Sequence, residues 1–172
     1  MTKEAEQEEN FIELYSFEQK KYSEIETELN VDRKRVQELY DITRARTEAI
    51  QKVRTKFTAK RKEAFKNDFE EFYHWYNDEK QECAYCGISQ GSLIKIFQEE
   101  RILPLNDATK RSSGSLEIER RDSTTNSYGK DNIILACPLC NNAKSNLIDE
   151  QSWKDYFVPA MKKYYVKLLK NA

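Results

Sequence analysis

No glycine and no proline stands before Gly87, and the 172-residue chain holds only four of the first and three of the second. A half-chain without either, rich in Glu, Lys, Arg, Gln and Ala, is expected to be almost wholly helical, with its breaks set by caps instead of helix breakers. Long apolar runs are missing too. None approaches the roughly 18 residues of a membrane helix, and no signal-like apolar core follows Met1, so the expectation is a soluble, cytoplasmic protein with no membrane partner. Histidine is nearly absent: His74 is the only one, on an aromatic stretch where a partly buried polar role is its bland reading. The length suits one ordinary core plus a small appended module, not two full domains.

The net charge of −1 conceals a segregation: residues 1–30 carry −6, residues 31–66 carry +7, residues 67–82 carry −5 and residues 83–172 carry +3. A basic block of this kind attracts a phosphate backbone, although such blocks are often only solvated helix faces. The first ten residues are acidic, lack an apolar stripe and are expected to fray. Over residues 22–39 the apolar positions Ile25, Leu29, Val31, Val36 and Leu39 surround a polar break at Asn30 and Asp32. This layout resembles a helix-turn-helix, with Asn30 in the turn, Asp32 capping the second helix, and Arg33, Lys34, Arg35 and Gln37 facing DNA. Glu26 stands where that motif usually has a small residue; the alternative is an ordinary helical hairpin. Residues 41–66 have sparse apolar positions (Ile42, Ile50, Val53, Phe57) among many basic ones, including Lys52, Arg54, Lys60 and Arg61. They read as a bridging helix along a DNA backbone. Phe65, Phe69, Phe72, Tyr73, Trp75 and Tyr76 then crowd one helix, expected to pack on the module that follows.

All four cysteines fall in two x2-spaced pairs, Cys83/Cys86 and Cys137/Cys140. Four thiolates make a closed tetrahedral Zn²⁺ site with no place for water, hence a structural one; disulfides are the alternative. Between the pairs, Leu116 to Arg120 alternates like a half-buried strand, residues 122–130 form a polar loop, Asn132 to Ala136 reads as a second strand, and a helix starts near Asn141. The chain closes on a helix capped by Asp149 and kinked at Pro159, with Trp153, Phe157, Met161, Tyr164, Tyr165, Leu168 and Leu169 on one face. Closing the core is its plain role and a homodimer interface the alternative.

The run LEIERRDSTTNSYGKDNIILACPLCNNAKSN resembles the HNH nucleases, the ββα-metal fold, in their four-cysteine zinc variant. The resemblance implies an α+β fold: a zinc-stapled core with an all-helical N-terminal extension and a C-terminal helix. It divides the chain into a DNA-binding module (residues 1–40), a basic bridging helix (41–66) and a nuclease domain (67–172). It implies Glu119 and Asn141 as ligands of a catalytic Mg²⁺ or Mn²⁺, Asn132 pinning the loop, Lys144 approaching a phosphate, and double-stranded DNA as substrate in a bacterial or phage-infected cell. Glu119 is longer than the usual Asp, and Arg120 stands at the usual general-base position. A guanidinium does not give up its proton near neutrality, so Arg120 is expected to clamp the phosphate while His74, Tyr128 or a metal-bound hydroxide serves as base. The rival expectation is a non-catalytic, zinc-stabilised DNA-binding protein with a decayed site.

Overall fold

The structure is a computed structural model describing residues 2–99 and 114–170. The rest of the insertion between the cysteine pairs, residues 100–113, lies outside the described residues. The fold is helix-dominated, with one two-stranded antiparallel sheet among the described residues, in two compact units, Met1–Tyr76 and Asn77–Ala172.

In the first unit α1 spans Lys3–Ile12 and runs into a wide π-helical turn, Glu13–Phe17; α2 (Tyr22–Leu29), α3 (Arg33–Arg54), α4 (Ala59–Ala64) and α5 (Phe69–Asp78) follow. The breaks are made by caps, as the missing glycines require. Asn30 ends α2 in the left-handed region at φ 52°, where a short polar side chain is tolerated better than most. The Asp32 carboxylate then accepts from the Arg35 backbone N–H at 2.8 Å and starts α3.

Two expectations are corrected here. Residues 3–12 form a helix that docks on α3: Gln7 accepts from the Arg35 guanidinium, and Glu9 takes both Nη atoms of Arg46 at 2.7 Å. Phe11 and Ile12 are buried at its end. Nor is there a joint near residues 40 and 41, which lie within α3. The stripe Val36, Leu39, Thr43, Thr47, Ile50, Val53 runs the helix's length, because the buried Thr43 and Thr47 hydroxyls donate to their own helix's carbonyls at Leu39 and Arg44. Ile42 is exposed instead.

α5 lends its aromatic face to this unit, Phe72 meeting Phe57 and Phe65 and Phe69 meeting Phe17. Arg54 is drawn inward beside it. Its guanidinium lies 3.6 Å from the Phe69 ring centroid and donates to the carbonyls of Ser16 and, at 3.0 Å, Phe17, satisfying the end of the π-helical turn. Charged hydrogen bonds of this kind contribute about 1.5–3 kcal/mol. Arg54→Met, which keeps the stem and drops the donors, is therefore expected to lower stability in denaturant unfolding by about that much; a change under about 0.5 kcal/mol would contradict the assignment.

In the second unit α6 (Gln90–Gln98) precedes the hairpin of β1 (Glu117–Arg120) and β2 (Ile133–Ala136), registered Glu117 to Ala136 through Arg120 to Ile133. β2 leads through Cys137 into α7 (Pro138–Lys144), which lies back along β1. α8 (Glu150–Ser152), capped by Asp149, a π-helical turn (Trp153–Phe157) and α9 (Val158–Lys170) complete it. Pro159 sits in the first turn of α9, where its missing N–H is tolerated, so the break expected there appears as the π-helical turn before it. Trp153 and Tyr165 are buried, while Phe157 and Tyr164 are exposed. Among the described residues, no helix is long and apolar enough to cross a membrane.

Candidate metal centre and strand–helix site

Each cysteine pair is wound on a tight turn. Gly87 takes φ +76° and donates to the Cys83 carbonyl at 2.8 Å, a conformation costly for any residue with a Cβ. Ala84 N–H donates to Leu135 O, tying this turn to β2. Cys137 caps α7, its sulfur accepting from the Cys140 N–H at 3.4 Å, and Pro138 opens the helix where no N–H is needed.

The turns bring all four sulfurs within 4.8 Å of one another, all buried. The Cys86 and Cys137 sulfurs are 3.8 Å apart, which matches the edge of a tetrahedron with metal–sulfur bonds of about 2.3 Å. Sulfurs packed this closely cannot all ionise unaided: hydrogen bonding within the cluster holds the Cys83 and Cys137 thiols down and pushes those of Cys86 and Cys140 up. A divalent cation removes that conflict. Tyr165, 3% exposed, has a hydroxyl that reaches no partner at full hydrogen-bonding geometry among the described residues, and burial and then the Cys137 sulfur push its pKa up; thiolates would offer such a donor an acceptor. The cluster is a buried four-cysteine site that fits a metal such as zinc.

Above it, β1 and α7 form a second constellation. Side chains two apart on a strand share a face, so Glu117 and Glu119 both look toward α7. There the chain makes two rungs. Asn141 Nδ2 donates to Glu117 Oε2 at 2.5 Å, and Lys144 Nζ meets Glu119 Oε1 at 3.0 Å. Lys144 is 0% exposed and gives its other protons to Arg120 O and Ser123 Oγ, both at 3.1 Å. The expectation that Lys144 approaches a phosphate is thereby corrected, because a buried ammonium must be matched by protein oxygens and all three of its donors are. Glu119 is 7% exposed; burial raises its pKa, and the Lys144 ammonium pulls the other way.

The loop after β1 is held by Asn132. Its amide donates to Asp122 O at 3.0 Å and Ser127 O at 2.9 Å, and its Oδ1 accepts from the Asp122 N–H at 2.8 Å. The Arg120 guanidinium turns onto this loop, donating to Thr125 O and Asn126 Oδ1 and lying 5.2 Å from the Tyr128 ring centroid. The structure thus gathers Glu119, Arg120, Asn132, Asn141 and Lys144 around β1 and α7, with Asn141 on Glu117 instead of Glu119. Glu117 is a site residue that the HNH resemblance does not name; its signal in the sequence is its place two residues before Glu119, on the same strand face. His74, in the first unit, is exposed with Glu70 at 3.7 Å.

The residues expected to meet DNA divide in two. Lys34, Lys52 and Lys60 are exposed, as are Arg33, which pairs with Glu26 at 3.1 Å, and Gln37, which bonds Asp41. Arg35 is held by Gln7 and Glu38, Arg54 is turned inward, and Arg61 is half-buried with Nη1 on Lys56 O. No family profile, curated protein or solved structure matches the chain.

Proposed function

We propose that this chain belongs to the class of metal-dependent phosphodiester hydrolases, its second unit being held together by a zinc ion in the four-cysteine cluster. Within that class the reading is an HNH-type endonuclease acting on double-stranded DNA, as a nickase or a double-strand cutter. The observation that supports it is the β1–β2–α7 unit, where strand carboxylates and the helix residues Asn141 and Lys144 share one interface beside a loop anchored by Asn132. Mg²⁺ or Mn²⁺, when bound there, supplies charge stabilisation for the cleaved phosphodiester and an activated water.

The chain's own groups supply the rest. A carboxylate on β1 and the Asn141 amide are the oxygen donors. Arg120, on the loop through Thr125 and Asn126, is the phosphate clamp. The Lys144 ammonium neutralises Glu119 and fixes the end of β1, keeping the site in register. The exposed cations of the first unit, Arg33, Lys34, Lys52 and Lys60, are the long-range attraction for the DNA backbone.

A second reading is favoured by that same buried pair. Glu119 is already neutralised and Arg120 already engaged, as in a zinc-stabilised DNA-binding protein that no longer cuts. Supercoiled plasmid incubated with Mg²⁺ or with EDTA separates the two: relaxed or linear DNA only with Mg²⁺ is the expected result, whereas retarded but uncut plasmid in both would support the binding protein.

A further inference from the structure

Two carboxylates leave the same face of β1, and the fold treats them differently. Glu119 is nearly buried and matched by the wholly buried Lys144, whose remaining donors hold Arg120 O and Ser123 Oγ. That pair is electrically closed. Glu117 is half-buried, has no ion-pair partner among the described residues, and faces the half-buried Asn141 amide at 2.5 Å. It is the carboxylate with charge left to offer and a path to solvent.

We propose that Glu117 and Asn141 are the oxygen pair that takes the divalent cation of this site, and that Glu119 is a positioning residue acting through Lys144. The proposal rests on the metal-dependent nuclease reading and departs from the Glu119–Asn141 pair that the HNH resemblance implies. An ion that must also touch a phosphate has to lie where solvent and substrate reach it, which the Glu119–Lys144 pair does not allow and the Glu117–Asn141 rung does. Rotating the Asn141 amide about its terminal bond presents Oδ1 in place of Nδ2. Neighbouring oxygens in a six-coordinate Mg²⁺ shell, with bonds of about 2.05 Å, lie about 2.9 Å apart, so the two side chains need to part by only a few tenths of an ångström. Two protein ligands leave the other positions for water and phosphate oxygens, the usual economy of Mg²⁺ sites. Lys144, by fixing the end of β1 against α7, sets the spacing of the rung before it.

The probe is Mn²⁺ added to the zinc-loaded full chain, with binding read from the electron paramagnetic resonance of free Mn²⁺ and folding checked by zinc content and thermal unfolding. Glu117→Gln is expected to weaken Mn²⁺ binding at least tenfold, while Glu119→Gln, whose amide oxygen can still accept from Lys144 and so keep the end of β1 in place, changes it less than threefold. Asn141→Asp sets two carboxylates face to face: it is expected to melt lower than wild type without Mn²⁺, to regain that loss when Mn²⁺ is added, and to bind Mn²⁺ more tightly. Glu117→Gln binding like wild type while Glu119→Gln loses the ion would overturn the proposal and leave the nuclease reading standing. An Asn141→Asp melt that Mn²⁺ does not raise would likewise overturn it. Wild-type protein that neither binds Mn²⁺ nor nicks plasmid would defeat both.

Discussion

Stripping zinc from the four-cysteine site, or replacing Cys137 by Ser, is expected to abolish the ordered structure of the hairpin and α7. The reason is what the cluster joins. Ala84 N–H binds Leu135 O and Cys137 caps α7, so the metal's ligands are also the supports of β2 and of the site helix. A two-stranded hairpin alone is marginal in water, and structural zinc in small peptides contributes on the order of 10 kcal/mol. Without that contribution four buried thiols face one another in competing protonation states. Hydrogen exchange with and without a strong chelator reads the outcome residue by residue. Protection at the amides that face the partner strand, those of Glu119, Ile134 and Ala136, should vanish on chelation; the first unit, which contains no cysteine, provides the internal control. Unchanged hairpin protection in the chelated protein would mean that the cluster is not the staple.

Lys144→Met is expected to cost about 3–5 kcal/mol, because it leaves the Glu119 carboxylate buried without its counter-charge. Adding Glu119→Gln should recover part of that loss, since no charge then remains to be paired; denaturant unfolding of the zinc-loaded variants measures both. The pH dependence has a definite sign. Burial raises the Glu119 pKa in the folded protein, so the folded state holds that proton more tightly than the unfolded chain. Its contribution to stability is complete below the unfolded value near 4.3 and is lost as pH rises through the folded one. Deleting Lys144 removes the group that pulls the pKa down. The single variant should therefore lose more stability than wild type as pH rises from the unfolded value toward neutrality. A flat difference across that range would mean that the methionine merely repacks the site.

The cysteine pairs, the turn at Asn30 and the cap at Asp32 were legible because each is a local rule: spacing, left-handed backbone and capping act within a few residues. Threonines hid the inner stripe of α3, since a polar residue scores as exposed until its hydroxyl is seen returning to its own helix. The docking of α1 was invisible for another reason. Its acidic face has a partner only once Arg35 and Arg46 lie beside it, and no pattern inside residues 3–12 says so. The exchange at the site is of the same kind. Glu117, Glu119, Asn141 and Lys144 could all be read off the chain, but which pairs with which depends on how α7 lies along β1, a register that the spacing of residues does not contain.

The central claim, that the β1–α7 interface cuts DNA with a divalent ion, is met most directly by one assay. Zinc-loaded wild type and Asn141→Ala are incubated with supercoiled plasmid in Mg²⁺. Asn141→Ala is the better partner than Glu119→Ala, which would leave Lys144 buried and unmatched. Nicked or linear plasmid from wild type, with product formation at least a hundredfold slower in Asn141→Ala at equal zinc content, is the expected result, since losing a direct ligand of the ion costs more than the roughly 10–100-fold of an outer-shell partner. Equal cleavage by both proteins, or DNA bound by both and cut by neither, would contradict it.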